Sequence, residues 1–186
     1  MKTPQIILIR GLPGSGKSVL AQKLVDVIGE TNCVLLDPDA TDYESEAYLA
    51  MSSALKEKGV PEKFYPYRFL RAQAHAGIAS DKVIIWNQAF TNLDGFQKTV
   101  ANLQRNAENY GKELPILVVE VEIDHEIARE RIARRVSSGG HDVPDEIFDR
   151  FVRDYESFAK HGFKTTKVNG ENLTAAAVKD VIKTLE

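Results

Sequence analysis

The sequence predicts an α/β domain built on a parallel sheet, and three observations carry this prediction. Short apolar runs alternate along the chain with segments of helical periodicity. Strands of a parallel sheet read as continuous apolar runs because helices cover both faces. A glycine-rich turn joins the first run to the first helical segment. The 186 residues fit one such unit, so we expect a single domain over 1–186.

The predicted elements follow from apolar spacing and turn signals. Strands are expected at 6–9, 33–36, 82–86, 116–123 and 163–168. Helices are expected after the glycine-rich turn, at the arginines of 129–135, and over 93–110, 145–160 and 173–185; one further helix carries Arg71. The aromatic residues on the inner faces of these helices, Tyr110 among them, are predicted to lie in the core.

The turn after the first strand matches the phosphate-loop pattern G-x-x-x-x-G-K-S at every fixed position. Its residues, with the one that follows, are Gly11, Leu12, Pro13, Gly14, Ser15, Gly16, Lys17, Ser18 and Val19. Glycines let the backbone curve around phosphate oxygens with its N–H groups directed inward. We expect Lys17 to meet the β- and γ-phosphates of a nucleotide and Ser18 to offer its hydroxyl to Mg²⁺. The alternative, a turn that binds nothing, is disfavoured by the intact pattern.

Composition narrows the classes of function. The net charge of −3 argues against a protein that binds nucleic acid regardless of sequence. The single cysteine, Cys33, has no partner for an internal disulfide and indicates no oxidising compartment. No apolar stretch approaches the length of a membrane span and no signal peptide is evident, so we expect a cytoplasmic protein without a membrane partner.

Two carboxylates follow the second strand, Asp37 and Asp39, separated by Pro38. Ligands of open parallel sheets lie beyond the carboxyl ends of the strands. Beside a bound triphosphate, these carboxylates position a metal ion or accept a proton from an attacking hydroxyl. The alternative is a simple turn, because Asp and Pro are favoured in turns.

The segment 129–153 concentrates cationic groups and contains a glycine pair, Gly139 and Gly140, followed by His141. Arg131 and Arg135 lie one helical turn apart, so their guanidinium groups can converge on a phosphate chain. Such a segment is typical of a mobile lid over a transferring phosphoryl group. The alternative is an exposed arginine-rich helix face that is simply solvated.

Three motifs together resemble one family. The loop Gly11–Ser18, the strand end 36–39 and the segment 131–144 are similar to the zeta-toxin-like P-loop kinases of the AAA_33 type, a group that also includes polynucleotide kinase domains. This resemblance implies transfer of the γ-phosphoryl group of ATP to a hydroxyl, and a sheet in the order 2-3-1-4-5. It assigns the base to Asp39 and transition-state stabilisation to Lys17, Arg131 and Arg135.

The third strand departs from that family where relatives carry an acid, because Trp86 stands there. A metal-organising carboxylate is therefore missing there, and Asp37 or Asp39 is an alternative group that could help to hold Mg²⁺ through water. Trp86 itself either replaces a substrate contact by aromatic stacking or is a core residue. Asn87, Gln88 and Thr91 follow at the same edge of the sheet and are predicted, with Asp37 and His141, to bind the acceptor.

The insertion at 40–80 is expected to decide which acceptor is bound. It contains basic and aromatic residues, and Arg68 and Arg71 are predicted to contact the acceptor. The alternative is a helix entry that packs on the domain.

The sequence therefore predicts a Mg²⁺-dependent kinase that uses ATP or GTP and phosphorylates a small molecule such as a nucleotide sugar. Two alternatives stay open: a kinase of polynucleotide 5′-hydroxyls, and a nucleotide-binding module or ATPase without an acceptor. The resemblance also leaves room for an antitoxin partner.

Overall fold

The computed structural model of the protein describes residues 4–140 and 142–185. Within them, five strands form one sheet: β1 (Gln5–Gly11), β2 (Cys33–Leu36), β3 (Val83–Asn87), β4 (Ile116–Glu122) and β5 (Thr165–Asn169). Their order is β2-β3-β1-β4-β5, and each neighbouring pair is parallel. The predicted fold class and strand order are confirmed.

The described chain also contains seven α-helices: α1 (Lys17–Ile28), α2 (Glu46–Glu57), α3 (Tyr65–Ala79), α4 (Leu93–Glu108), α5 (His125–Ser137), α6 (Asp145–Asp154) and α7 (Ala175–Lys183). The helix α2 is not among the predicted ones. None of its residues is buried, so it contributes no side chain to the core clusters of the described residues. No helix in the described ranges is both long enough and apolar enough to cross a bilayer.

The central strand β1 contributes side chains to the two core clusters that lie on either face of the sheet. Ile6 and Leu8 join a cluster with residues of α3 and α4, whereas Ile7 and Ile9 join a cluster with residues of α1 and α7. Successive side chains of a strand point to opposite faces, so a strand covered on both faces needs an unbroken apolar run. That requirement explains the unbroken apolar run of β1. The alternation also determines which layer of helices each side chain at the end of a strand faces.

The prediction of one helix over 145–160 is wrong, because α6 ends at Asp154 and the chain is extended at Tyr155. The cause is an ion pair buried under this segment. The guanidinium group of Arg10 contacts Glu120 at 2.8 Å, with side chains 0% and 1% exposed, and donates to the carbonyl oxygen of Glu156 at 2.5 Å.

The same ion pair holds the residues that follow α6. Arg10 lies between the rings of Tyr155 and Phe158, at 4.2 and 3.6 Å from their centroids. Glu120 accepts a hydrogen bond from the backbone N–H of Phe158. These contacts come from β1 and β4, more than 30 residues away in sequence, so helical periodicity within 145–160 does not reveal the break.

We expect the variant Glu120→Gln to lose about 3 to 5 kcal/mol of unfolding free energy, because it leaves the buried charge of Arg10 without its partner. Glu122→Gln on the same strand is the matched control. Glu122 pairs with Lys167 at 2.6 Å, but both side chains are more than half exposed, so its loss costs at most about 1 kcal/mol. Urea denaturation measures both values, and equal losses would contradict the role of burial.

Tyr110, predicted to lie in the core, is 53% exposed. The helix α4 ends at Glu108, and a turn carries Tyr110 away from the apolar face. The residues of the same stripe that stay inside α4, from Phe96 to Ala107, are buried.

Candidate active site

The loops that follow the strands at their carboxyl ends open into one cleft with a volume of about 1000 Å³. The phosphate-loop residues that line it are Pro13, Gly14, Gly16, Lys17, Ser18 and Val19. Asp37, Asp39, Asn87, Gln88, Arg131 and Arg135 also line it. These residues come from four separate segments of the sequence, and the parallel sheet brings them to one edge.

The phosphate loop is folded as an anion-binding turn. Gly14 and Gly16 have φ values of +78° and +96°, which favour glycine. The helix α1 begins at Lys17, and among the described residues no side chain caps it and no acid lies in its first turn. Its first N–H groups and the positive end of its dipole are therefore available to an anion in the cleft. Gly11, Leu12 and Ser15 are buried on the inner side of the loop.

A glycine outside the loop packs directly against it. Gly170 follows β5, and a Cβ there would lie 2.0 Å from the backbone oxygen of Ser15. The N–H of Gly170 donates to the carbonyl oxygen of Glu122, which fixes it to the end of β4. Because no side chain fits between the two backbones, this close approach requires glycine.

Lys17 lies across the loop and donates to the carbonyl oxygen of Leu12 at 2.9 Å. Burial lowers the pKa of Lys17 to about 8, the negative charges of Asp39 and Asp37 oppose this shift, and Arg135 adds to it. The ammonium group is thus poorly solvated in the free protein. A bound polyphosphate would supply the negative charge that it lacks.

This pKa predicts a pH dependence of nucleotide binding. Below about pH 8, Lys17 carries its proton in both the free and the bound protein, so its titration does not affect affinity. Above that pH the free protein must take up a proton to bind, so affinity for ATP falls by up to about tenfold per pH unit. Calorimetric titration between pH 7 and pH 9.5 measures this. The control is Lys17→Arg, which keeps its charge over this range and should show no such fall.

The two carboxylates after β2 have different surroundings. Asp37 is 8% exposed; its Oδ1 accepts from the backbone N–H of Asp39 at 2.9 Å, and its Oδ2 accepts from Asn87 at 2.6 Å. Asp39 is exposed and lines the cleft, and its carboxylate has no hydrogen-bond partner within the described part of the chain. Both carboxylates line the cleft, but Asp37 is engaged in organising the turn, and Asp39 is the more exposed of the two.

Asn87, at the tip of β3, connects this turn to the phosphate loop. Its Nδ2 donates both to Asp37 and to the hydroxyl of Ser18, at 3.0 Å from the latter. Its Oδ1 is buried and lacks a partner among residues 4–140 and 142–185. Three oxygen-bearing side chains thus converge beside Lys17. Mg²⁺ takes oxygen ligands and uses few protein groups when a polyphosphate supplies the others, so this donor set fits Mg²⁺.

Trp86 does not face the cleft. It is 3% exposed and belongs to the core cluster of α3 and α4, where its ring contacts Phe90. The register pairs Trp86 with Leu8 and Asn87 with Ile9, so only Asn87 points to the side of α1. Of the two interpretations of Trp86, the structure supports the core residue. The interpretation that Trp86 stacks on a substrate is wrong. The side chain that contacts Ser18 is the amide of Asn87, the next residue along the strand.

The arginines of the predicted lid divide into two groups. Arg131 donates to the carbonyl oxygen of Gly170 at 2.8 Å and so spans the cleft next to the phosphate loop. Arg135 is exposed and close enough to Lys17 to affect its pKa. Arg129 instead pairs with Asp145 and Asp149 and ties α5 to α6. Of these three arginines, Arg131 and Arg135 line the cleft and Arg129 does not.

Some predicted residues lie elsewhere. Arg68 and Arg71 lie on α3 and Thr91 follows β3, but none of them lines the cleft wall. His141 falls outside the described residues. Conversely, Gly170, Glu171 and Leu173 line the cleft and were not predicted as site residues, and among the aromatic residues of the insertion Tyr67 lines the cleft. Residues 170–173 follow β5 directly, so the rule that ligands lie beyond the carboxyl ends of strands would have found them.

The parallel sheet in this order, with a phosphate loop between β1 and α1, defines a P-loop domain of the kinase-like type. The sequence profile of the AAA domain family AAA_33 matches residues 6–158. The chain therefore belongs to this family, as its resemblance to zeta-toxin-like P-loop proteins implies. A search of curated proteins finds no match.

Solved structures share the fold at low sequence identity. A suspected kinase of Chloroflexus aurantiacus J-10-fl is 20% identical with a TM-score of 0.66, covering 100% of this chain and 97% of its own. A chain of the PezAT toxin–antitoxin system of Streptococcus pneumoniae is 17% identical, with a TM-score of 0.63 and coverages of 100% and 78%. A gluconokinase of Sinorhizobium meliloti 1021 is 16% identical, with a TM-score of 0.57 and coverages of 100% and 93%.

Proposed function

We propose that the protein is a kinase that transfers the γ-phosphoryl group of ATP to a hydroxyl of a small molecule, such as a nucleotide sugar. The observation that carries this proposal is the pairing of two groups across one cleft. Lys17 lies on the phosphate loop and lacks solvation, and Asp39 on the facing turn presents a carboxylate without a partner in the described structure.

The chemistry follows from this arrangement. The loop amides and Lys17 hold the β- and γ-phosphates, and Asp39 accepts the proton of the acceptor hydroxyl. The hydroxyl oxygen forms a bond to the γ-phosphorus while the bond between that phosphorus and the bridging oxygen of ADP breaks. The protein thus acts mainly by positioning the reactants and by stabilising charge.

Mg²⁺ is part of the proposal because the donor set fits it. Ser18 and Asp37 would hold the ion, with Asn87 orienting both. When bound, the ion neutralises charge on the phosphate oxygens. Asp37 is thereby assigned to the organisation of the site rather than to direct binding of the acceptor.

We assign the residues from 129 to 153 to a lid over the nucleotide. Arg131 and Arg135 line the cleft on that side, and Arg129 joins α5 and α6 so that the two helices would move together. Arginines that approach the γ-phosphoryl group stabilise the charge that develops there.

A metabolite screen tests the proposal. The protein is incubated with ATP, Mg²⁺ and a metabolite extract, and mass spectrometry compares the products with those of Lys17→Ala. We expect at least one compound to gain the mass of one phosphate with the wild-type protein only. ATP consumption with no phosphorylated compound would instead favour an ATPase without an acceptor.

A panel of acceptors distinguishes a small-molecule kinase from a polynucleotide kinase. Nucleotide sugars, nucleosides and oligonucleotides with a 5′-hydroxyl are compared for stimulation of ADP release. The net charge of −3 favours the small molecules, because oligonucleotide binding depends on neutralising many phosphates. Stimulation by oligonucleotides alone would favour a polynucleotide kinase.

A further inference from the structure

Two arginines of α3 have positive charges that nothing in the described structure balances. Arg68 is exposed and Arg71 is half-buried, and neither forms an ion pair with any residue in 4–140 or 142–185. The Nε atom of Arg71 is buried without a hydrogen-bond partner among the same residues. Burial, and then the nearness of Arg68, lower the pKa of Arg71. A buried donor without a partner is costly, so this pair is poised to receive an anion.

The position of α3 relates this pair to the proposed reaction. The helix contacts the turn Pro38–Ala40 that carries Asp39. Tyr67, in the first turn of α3, lines the cleft, and Arg71 lies four residues further on the same face of the helix. Arg71 therefore lies one helical turn beyond the residue of α3 that borders the cleft.

The end of β3 presents a hydrogen-bond donor to the cleft as well. The indole N–H of Trp86 donates to the Oε1 of Gln88 at 3.2 Å. This contact occupies the oxygen of the amide and leaves its Nε2 group as the donor that Gln88 brings to the cleft. Trp86 therefore acts on the site indirectly, by orienting Gln88.

We propose that the acceptor carries an anionic group in addition to its reacting hydroxyl, and that Arg71, with Arg68 beside it, binds this group. The inference rests on the proposed kinase function and names its substrate class: hydroxyl compounds that bear a phosphate or a carboxylate. A guanidinium group matches both, because it presents parallel N–H donors to two oxygens. Gln88 donates to the same compound from the end of β3.

Nuclear magnetic resonance of the ¹⁵N-labelled full chain tests anion binding directly. AMP-PNP and Mg²⁺ first saturate the phosphate loop, and the Arg71 Nε–H signal is assigned by its loss in Arg71→Lys. We expect inorganic phosphate, acetate or both to shift this signal saturably, and chloride at equal ionic strength to leave it in place. The comparison of phosphate with acetate shows which anion is preferred. An Arg71 signal that responds to neither anion, or equally to chloride, overturns the inference.

Kinetics with the acceptor found by the metabolite screen give a second readout. We expect Arg71→Met to raise the KM of that acceptor by about 10- to 100-fold, with kcat and the KM of ATP nearly unchanged. The matched control is Arg105→Met, since Arg105 is exposed in the last turn of α4. An acceptor without an anionic group, or unchanged kinetics in Arg71→Met, overturns this inference and leaves the kinase function standing. An extract without any phosphorylated product contradicts the kinase function, and the resonance titration still decides the anion site.

Discussion

Asp39→Asn should abolish phosphoryl transfer while ATP still binds. The amide has nearly the shape of the carboxylate but cannot accept the proton of an acceptor hydroxyl. Loss of a positioned general base lowers turnover by about 10²- to 10⁴-fold. The affinity for ATP should change little, because the loop amides and Lys17 carry it. Acceptor-dependent ADP release measures turnover, and calorimetry measures affinity.

Asp42→Asn is the matched control for this variant. Asp42 is also an exposed carboxylate in the segment after β2, but it does not line the cleft. We expect Asp42→Asn to keep wild-type turnover. Full activity in Asp39→Asn would show that Asp39 is not the general base. It would favour the interpretation of the Asp-Pro-Asp sequence as a simple turn.

The sequence predicts those parts of the site that depend on local chemistry. The phosphate loop is contiguous, so its glycines, Lys17 and Ser18 are recognised together. The pair Asp37 and Asp39 follows a strand, and the edge rule places it near the loop. What the pattern leaves open is the division of roles. That division depends on the amide of Asn87, 50 residues away in sequence, which occupies Asp37 and leaves Asp39 to the cleft.

Predictions from the sequence fail where a contact between distant residues overrides local periodicity. The stripe over 145–160 has helical spacing, yet the Arg10–Glu120 pair holds the chain extended after Asp154. At the end of β3, an offset of one residue decides which side chain faces the site, because neighbours on a strand point to opposite faces. The relevant side chain is therefore Asn87, and Trp86 acts through Gln88.

Lys17→Met should remove tight binding of the triphosphate and lower turnover by about 10²-fold or more, because it deletes a charge aimed at the transferring group. Methionine keeps much of the length of the side chain. It also relieves the burial of an ammonium group that lowers the pKa of Lys17 to about 8. The free variant should therefore be no less stable than the wild type, although its contact with Leu12 is lost. Calorimetric titration with AMP-PNP and thermal unfolding measure the two effects.

Lys23→Met separates this specific charge from the general charge of the cleft. Lys23 belongs to the same helix and also lines the cleft, but it lies beyond the first turn of α1, where the free N–H groups are. We expect Lys23→Met to keep triphosphate affinity within about threefold, as for a solvated surface charge. Equal losses in the two variants would show that the cleft attracts nucleotides by its overall potential. The loop would then not position the γ-phosphate, and Asp39 would have no fixed phosphoryl group to serve.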